Sequence, residues 1–310
     1  MPGDRATTMK FARWAETAGF DVIVTADHLT WTPDALTTLM FLADVTERIR
    51  VGSYVMCVDF HHPAVLARAL LNVDELSEGR LEIGLGAGYI RQEYEAAGIV
   101  LAQGGTRFER LQETTAILKE MLANDTASFT GRHFRLVNQM AMPRPRQQPR
   151  PPLLLGGGGP RILEWAAREA DIVSLVPRSS PEGNARLSGM ASSAVAQQVS
   201  VVREAAQGRD RPPVLNAMLW HLEVSPNRRE AASRWLGSMR NRTFPLAVAF
   251  THDRDLSVDD ILDSPFLAFG TEAEITEHFK RVRDELGISY WTLTPRIAEP
   301  FLPVLEELRS

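Results

Sequence analysis

The chain has little of what several classes of protein require. It contains one cysteine, Cys57, among 310 residues, so an internal disulfide framework is excluded. No apolar run approaches the ~18 residues that a membrane-spanning helix needs, and residues 1–5 lack the apolar core of a signal peptide. The formal net charge is −5, so no basic surface indicates nucleic-acid binding. These absences predict a cytoplasmic protein with neither a membrane nor a nucleic-acid partner.

The sequence instead has the composition of a globular protein, with 44% hydrophobic and 24% charged residues. Its main pattern is an alternation of strand-like and helix-like runs. The strand-like runs are residues 20–27, 49–57, 80–86, 153–155, 171–176, 214–224 and 288–293. The helix-like runs are residues 5–18, 33–46, 63–77, 107–123, 160–170, 194–206, 227–240, 272–286 and 299–308. Such alternation predicts an α/β fold with a parallel sheet, in which chemistry lies beyond the C-terminal ends of the strands.

The alternation continues through the whole chain, which predicts one domain over residues 1–310. Residues 143–152 are rich in proline and arginine; an extended surface segment is favoured there over a domain linker. Residues 129–134 indicate an excursion with a turn. Residues 177–192 are weakly patterned, which predicts a mobile loop that can act as a lid.

The pattern begins with a helix and contains seven strands, whereas a closed (β/α)8 barrel has eight. We therefore expect that the first strand of a barrel is missing from this chain. The alternative is an open seven-stranded sheet, with residues 266–269 filling in.

Polar residues follow the first predicted strand. His28 at this position can hydrogen-bond a ligand or move a proton near neutral pH, and Trp31 can cover a planar ring. The alternative is that Asp27 caps a helix and His28 packs in the core. Position at the end of a strand favours the functional interpretation.

Glycines follow two other predicted strands. Alternate glycines at 84, 86 and 88 let a backbone or a flat ligand approach closely, but they do not form a dinucleotide fingerprint. Glu93, a little further on, is either an active-site carboxylate or the partner of a neighbouring arginine. The four glycines at 156–159 precede Pro160; a helix start of this kind binds phosphate, although a tight turn is the alternative.

Other polar residues favour structural roles. His61 and His62 lack further ligands at metal spacing, so we expect no metal site, and His62 is placed to cap the helix that Pro63 begins. Cys57 is expected to be a small buried residue rather than a reactive thiol. His221, inside a predicted strand, is expected to be a satisfied core histidine, although it can touch substrate if it points inward.

Taken together, these residues resemble the luciferase-like monooxygenase superfamily, in particular its coenzyme F420-dependent oxidoreductases. The resemblance covers nearly the whole chain except the family's first strand. It is carried by residues 15–21 (AETAGFD), 26–28 (ADH), 46–52 (TERIRVG), 62–67 (HPAVLA), 74–81 (DELSEGRL), 84–88 (GLGAG), 152–159 (PLLLGGGG) and 166–171 (AAREAD).

The resemblance implies a TIM barrel of the luciferase-like type that binds a flavin or deazaflavin at the strand ends. It implies that His28, in its pair with Asp27, lies beside the reactive ring and that Trp31 lies on the substrate side, one residue away from the spacing expected. The catalytic residues predicted are therefore His28, Asp27 and Trp31. It also places a non-proline cis peptide at Tyr54–Val55. Position 89 holds tyrosine where some sugar-phosphate dehydrogenases of the family have an acid. The implied cofactor contacts are Tyr54, Val55, Gly86, Gly88, Gln92, Gly157 and Gly158.

The function predicted is hydride transfer between coenzyme F420 and a small organic substrate. The alternative is an FMN-dependent monooxygenase that uses reduced flavin and oxygen, and a third possibility is a non-catalytic flavin-binding protein. The expected partners are the small-molecule substrate, a second copy in a homodimer, and a separate reductase or dehydrogenase that supplies reduced cofactor.

Overall fold

The computed structural model describes residues 3–178, 185–243, 250–251, 253 and 256–309. The chain forms two compact units, Met1–Leu155 and Gly156–Ser310. The single domain expected from the sequence stays a prediction.

The first unit is built on parallel strands. Its strands are β1 (Val22–Thr25), β2 (Arg50–Ser53), β3 (Met56–Cys57), β4 (Leu81–Gly86), β5 (Thr126–Thr130), β6 (Arg135–Met140) and β7 (Leu153–Gly157), whose last two residues belong to the second unit. β1 pairs with β2, β2 and β3 pair with β4, and β4 pairs with β7, all in parallel. All six residues of β4 are buried, as expected for a strand covered on both faces.

The first unit also contains five helices among the described residues. They are α1 (Arg5–Thr17), α2 (Ala35–Val45), α3 (Pro63–Leu76), α4 (Arg91–Ala97) and α5 (Gly104–Ala123). Asp4 and Asp34 cap the first two, each accepting a hydrogen bond from a backbone N–H three residues on, because the first N–H groups of a helix have no partner inside it. α3 begins at Pro63, and its fully buried leucines at 66, 70 and 71 belong to the core.

The second unit has strands β8 (Ile172–Leu175), β9 (Ala185–Arg186), β10 (Val214–Leu219), β11 (His221–Val224), β12 (Phe250–Thr251), β13 (Leu267–Gly270) and β14 (Ile288–Leu293). β10 pairs in parallel with β8 on one side and with β14 on the other. β11 pairs with β13, and β9 with β12. The buried side chains of Ser174, Asn216 and Thr292 link β8, β10 and β14 through hydrogen bonds of 2.8 and 3.0 Å.

The helices of the second unit are α6 (Pro160–Glu169), α7 (Ser192–Ala205), α8 (Arg228–Arg240), α9 (Val258–Leu262), α10 (Glu272–Leu286), α11 (Pro295–Ala298) and α12 (Leu302–Arg309). α10 shows why such a run forms a helix. Thr271 and Glu274 make a capping box at its start, and Gly287 ends it in the left-handed conformation.

Each predicted strand and helix corresponds to an observed one, but two of the predicted strands are each divided into two separate strands. Residues 49–57 form β2 and β3 with a break at Tyr54–Val55, and residues 214–224 form β10 and β11 with a break at Trp220. In the second case the two halves pair with different strands, which a single sequence run does not reveal. Residues 266–269 do contribute a strand, β13, whose partner is β11.

The irregular segments were partly predicted. Residues 129–134 include the turn of the β5–β6 hairpin, and residues 143–152 contain no helix or strand, as expected. In the expected mobile loop, residues 179–184 lie outside the described part of the chain, while residues 185–190 form β9 and a 3-10 turn with buried Leu187 and Met190. α4, α9 and the short strands β9 and β12 were not anticipated. No helix among the described residues is both long and apolar enough to cross a membrane.

Candidate active site

A histidine–carboxylate pair follows the end of β1. The His28 Nδ1 atom lies 2.9 Å from Oε1 of Glu93, and the two side chains are 25% and 3% exposed. Glu93 is in the first turn of α4. The expected alternative, an ion pair between Glu93 and a neighbouring arginine, is wrong, because its carboxyl group is turned toward His28. A buried carboxyl group on one ring nitrogen fixes the orientation of an imidazole, and this suits proton transfer at the other nitrogen.

The loop after His28 holds this side chain from a second direction. The backbone N–H of His28 donates to the Thr32 hydroxyl at 3.0 Å, and that hydroxyl lies 3.1 Å from the carbonyl oxygen of Ala26. The Trp31 ring stacks on the His28 ring with 5.3 Å between centroids and 30° between planes. Trp31 is 58% exposed, so its outer face is open to a ligand.

Asp27 has a different environment from His28. Its Oδ2 atom lies 2.8 Å from Nε2 of His61 and accepts the backbone N–H of Cys57 at 3.0 Å. It is 8% exposed and does not cap a helix, since the cap of α2 is Asp34. Asp27 therefore links the ends of β1 and β3 and the turn that contains His61. Its predicted catalytic role stays a prediction.

The peptide bond Tyr54–Val55 is cis, which confirms the expectation from the resemblance. It lies between β2 and β3, beside the glycine end of β4. A Cβ atom added to Gly86 would meet Cγ2 of Val55 at 2.6 Å. The glycine is therefore required for the Val55 side chain to pack against the strand end. The cofactor contacts expected for Tyr54, Val55 and Gly86 stay predictions.

A buried polar cluster supports the turn after β4. Gly88 has φ +71°, and a Cβ atom there would overlap the Tyr94 hydroxyl. That hydroxyl lies 3.4 Å from Cys57 Sγ and donates to Asp59, which also pairs with Arg110 at 3.2 Å. Burial raises the pKa of the Cys57 thiol to about 12, so this cysteine is an inert core residue, as expected.

Tyr89 and Gln92 lie on the open side of this turn. Tyr89 is 47% exposed; burial of its hydroxyl and the nearby charge of Glu93 raise its pKa. At neutral pH it can offer only a neutral hydroxyl group. Gln92 is exposed, so its side chain is accessible to a cofactor, and that contact stays a prediction.

In the second unit, the glycine run joins β7 to α6. A Cβ atom on Gly158 would meet the Val176 carbonyl oxygen at 2.7 Å and Cα of Arg178 at 2.8 Å, so only glycine fits there. Gln198 holds the turn by donating to the carbonyl oxygens of Gly158 and Val176 at 3.0 and 2.8 Å. α6 begins at Pro160 with Gly159 as its N-cap and without a side-chain cap. Its first N–H groups are therefore available to an anion. Phosphate binding by Gly157 and Gly158 stays a prediction.

The other histidines were predicted with mixed success. His62 occupies the N-cap position of α3 but makes no capping hydrogen bond; its ring contacts Phe134 edge-on. His221 packs against Trp235 and Phe269, and burial lowers its pKa, which fits a core histidine. Within the described ranges, no group of three or more His, Cys, Asp or Glu residues could hold a metal ion.

Sequence reasoning missed three contributors: His61, Tyr94 and Gln198. The partner of His28 lies 65 residues away in the sequence, and that of Asp27 lies 34 away. No spacing pattern signals such pairs. Only the parallel pairing of β1 with β2, and of β2 and β3 with β4, brings the ends of β1, β3 and β4 together.

A family model described as luciferase-like monooxygenase matches residues 2–289. The chain belongs to the luciferase-like monooxygenase family. This membership confirms the resemblance inferred from the motifs.

Curated relatives cover part of the chain. The F420-dependent glucose-6-phosphate dehydrogenase of Amycolatopsis mediterranei (strain U-32) is 31% identical over 171 residues, which are 53% of this chain and 51% of that protein. The protein of the same name from Kineococcus radiotolerans is 30% identical over 169 residues, 52% of this chain and 49% of that protein. The chain thus spans about half the length of the curated relatives it matches.

Solved structures match nearly the whole chain. Monooxygenase RslO1 from Streptomyces bottropensis has a TM-score of 0.76 at 22% identity, covering 99% of this chain and 94% of that one. An F420-dependent secondary alcohol dehydrogenase, solved with an F420–acetone adduct, has a TM-score of 0.73 at 17% identity, covering 99% and 96%. At these identities the likeness shows the fold, and it confirms an α/β fold of the luciferase-like TIM-barrel type.

Proposed function

We propose that this protein is an oxidoreductase that transfers hydride between coenzyme F420 and a small organic substrate. The observation that carries the proposal is the His28–Glu93 pair, with Trp31 stacked on the imidazole at a strand end. Family membership and the F420-dependent dehydrogenases among the relatives support it. A neighbour of the same fold was solved with an F420 adduct, so the fold accommodates this cofactor.

Two features, each described within its own unit, fit chemical groups of the cofactor. The uncapped start of α6, with Gly157 and Gly158 before it, offers backbone N–H groups to a phosphate. The Val55 side chain packs over Gly86 at the end of β4, and this strand end, with Tyr54, is the place proposed for the flat ring. When bound, F420 supplies the hydride acceptor or donor, and the protein orients the reactants and excludes water.

On the substrate side, we propose that His28 exchanges a proton or a hydrogen bond with a substrate oxygen. Trp31, after β1, and Tyr89, after β4, are exposed aromatic side chains that provide apolar contact area for a small organic molecule. Tyr89 stands where some sugar-phosphate dehydrogenases of the family have an acidic residue. We therefore do not propose glucose 6-phosphate, which the names of the curated relatives give, as the substrate of this protein. A homodimer and a separate enzyme that reduces the cofactor remain part of this proposal.

The second candidate function is an FMN-dependent monooxygenase, which the description of the matching family favours. FMN and F420 share a tricyclic shape, and they differ at position 5, where FMN has nitrogen and F420 has carbon. Only the nitrogen compound readily forms an oxygen adduct. The choice between the two therefore requires a binding experiment.

The experiment is a side-by-side fluorescence titration of the purified protein with F420 and FMN. Micromolar or tighter F420 binding with weak FMN binding supports the proposal and leads to a screen of secondary alcohols and ketones against the cofactor. The reverse preference identifies the monooxygenase, and binding of neither contradicts both candidates. Gly158→Ala should weaken binding of the preferred cofactor. The control is Gly237→Ala in α8 of the second unit, which should not, because its added Cβ has no neighbour within 4 Å and its φ is not in the positive range.

A further inference from the structure

Glu93 is a buried carboxyl group whose environment points to a role beyond packing. Its side chain is 3% exposed, and among the residues that the structure describes its carboxyl group has one hydrogen-bond partner, Nδ1 of His28. An ionised carboxylate accepts hydrogen bonds and donates none. When Glu93 is ionised, the ring nitrogen that faces it carries the proton of this hydrogen bond.

The other ring nitrogen of His28 is left available. The backbone of the residue is held by Thr32 and the ring is stacked by Trp31, so the imidazole cannot turn freely. Nε2 has no hydrogen-bond partner within the described chain, and the side chain is a quarter exposed. The hydrogen bond that one nitrogen makes decides what the second nitrogen can do.

We propose that Glu93 is a positioning residue that keeps the His28 proton on Nδ1 and thereby makes Nε2 the atom that accepts a proton or hydrogen bond from the substrate oxygen. The proposal deepens, and rests on, the proposed function. When Nε2 takes a proton from the substrate, Nδ1 keeps its own. The negative charge of Glu93, 2.9 Å away, then stabilises the imidazolium ion.

A first test needs no cofactor. Long-range ¹H–¹⁵N NMR spectra report which imidazole nitrogen carries the proton, and the His28 signals are identified by their loss in His28→Asn. In the wild-type protein at a pH where the imidazole is neutral, we expect protonated Nδ1 and unprotonated Nε2. The opposite tautomer, or a mixture like that of free histidine, would overturn the proposal.

A second test uses Glu93→Gln, which has nearly the same shape and is expected to fold. The neutral amide can accept from Nδ1 or donate to it, so the Nδ1–H form should lose population. With the substrate found by the screen, kcat should fall by about 10- to 100-fold, as for other residues that orient a functional histidine, while KM changes little. The matched control is Glu95→Gln on the same helix, a 64% exposed residue 3.9 Å from Arg91, which should change neither the spectra nor kcat.

The two proposals can fail separately. If neither cofactor binds, the proposed function fails, and the wild-type and Glu93→Gln spectra still decide whether Glu93 sets the His28 tautomer. If F420 supports turnover but Glu93→Gln retains the wild-type kcat and tautomer, the role of Glu93 is wrong and the proposed function stands.

Discussion

Replacing Asp74 by alanine should release residues 143–152 from the body of the first unit. Asp74 lies in α3 and is 0% exposed. Its Oδ2 atom accepts the backbone N–H groups of Arg146 and Gln147 at 2.7 and 3.1 Å, and its Oδ1 atom accepts the Gln147 side-chain amide at 2.7 Å. Asp74 thus makes three of the hydrogen bonds that hold a proline-rich segment without a helix or strand of its own. Gln147 also bonds to Arg50 and to the Leu81 carbonyl oxygen.

The magnitude follows from these three hydrogen bonds. A hydrogen bond to a charged group contributes about 1.5–3 kcal/mol net, but the segment can turn its freed groups to water. The Arg146 side chain is 52% exposed, so this residue is at the surface. Water can therefore replace part of the hydrogen bonding that the segment loses with Asp74. We expect Asp74→Ala to lower the free energy of unfolding by about 3–4 kcal/mol. At roughly 2 °C per kcal/mol for a large chain, Tm should fall by about 6–8 °C.

Limited trypsin digestion can localise the effect. Arg144 and Arg150 precede proline, which blocks trypsin, so Arg146–Gln147 is the cleavable bond in this segment. Asp74→Ala should speed cleavage of this bond, measured by mass spectrometry, well below the melting temperature. The matched control is Asp44→Ala, on the exposed side of α2, which should change neither Tm nor the cleavage rate.

Two results would refute this reasoning. A Tm within 1 °C of the wild-type value would show that Asp74 does not carry the attachment. A lower Tm with unchanged cleavage of the Arg146–Gln147 bond would show that Asp74 stabilises the helix and not the segment.

Three further predictions concern the same unit. Burial tends to raise the pKa of Glu16, but hydrogen bonds from three backbone N–H groups outweigh it and leave the pKa below its ordinary value of 4.5. The stabilisation by Glu16 is therefore present above pH 4.5 and lost as the pH falls below it. In urea titrations, Glu16→Gln should lower the free energy of unfolding by about 1 kcal/mol at pH 7 and by little at pH 3. An equal loss at both pH values would contradict this. Gly88→Ala should lower the free energy of unfolding by about 1–3 kcal/mol more than Gly98→Ala. Both glycines have φ near +70°, but only a Cβ atom at position 88 would meet a neighbour, the Tyr94 hydroxyl. Equal losses in urea titrations would exclude the overlap. Cys57, with a pKa of about 12, should react with Ellman's reagent at pH 8 about 1000-fold more slowly than in urea, and a ratio under tenfold would disagree.

Much of the fold was predictable because strand and helix patterns are local. Gly19 and Gly287 follow predicted helices and end them with positive φ, and Pro63 and Pro160 start α3 and α6. The breaks within two strands were not predictable. β10 and β11 read as one apolar run, and only their different partners, β14 and β13, separate them.

The candidate site was predictable in part. The strand-end position of His28, the nearby Trp31 and the cis bond at Tyr54–Val55 were identified from motifs. The partner of His28 was not, since an ion pair between Glu93 and a neighbouring arginine was an equal alternative. The two carboxyl groups, Asp27 and Glu93, look alike in sequence but receive different partners, His61 and His28.

The sequence by itself determined the order of strands and helices, the family and the residues placed at the strand ends, because caps, glycine turns and apolar periodicity act over a few residues. Only the tertiary structure decided which of those residues meet. Parallel pairing of β1 with β2, and of β2 and β3 with β4, brings together strand ends that are tens of residues apart. Glu93, a residue type usually found at the surface, is buried there and is held against His28 by a hydrogen bond. Contacts of this kind depend on the whole packed unit, so no local pattern encodes them.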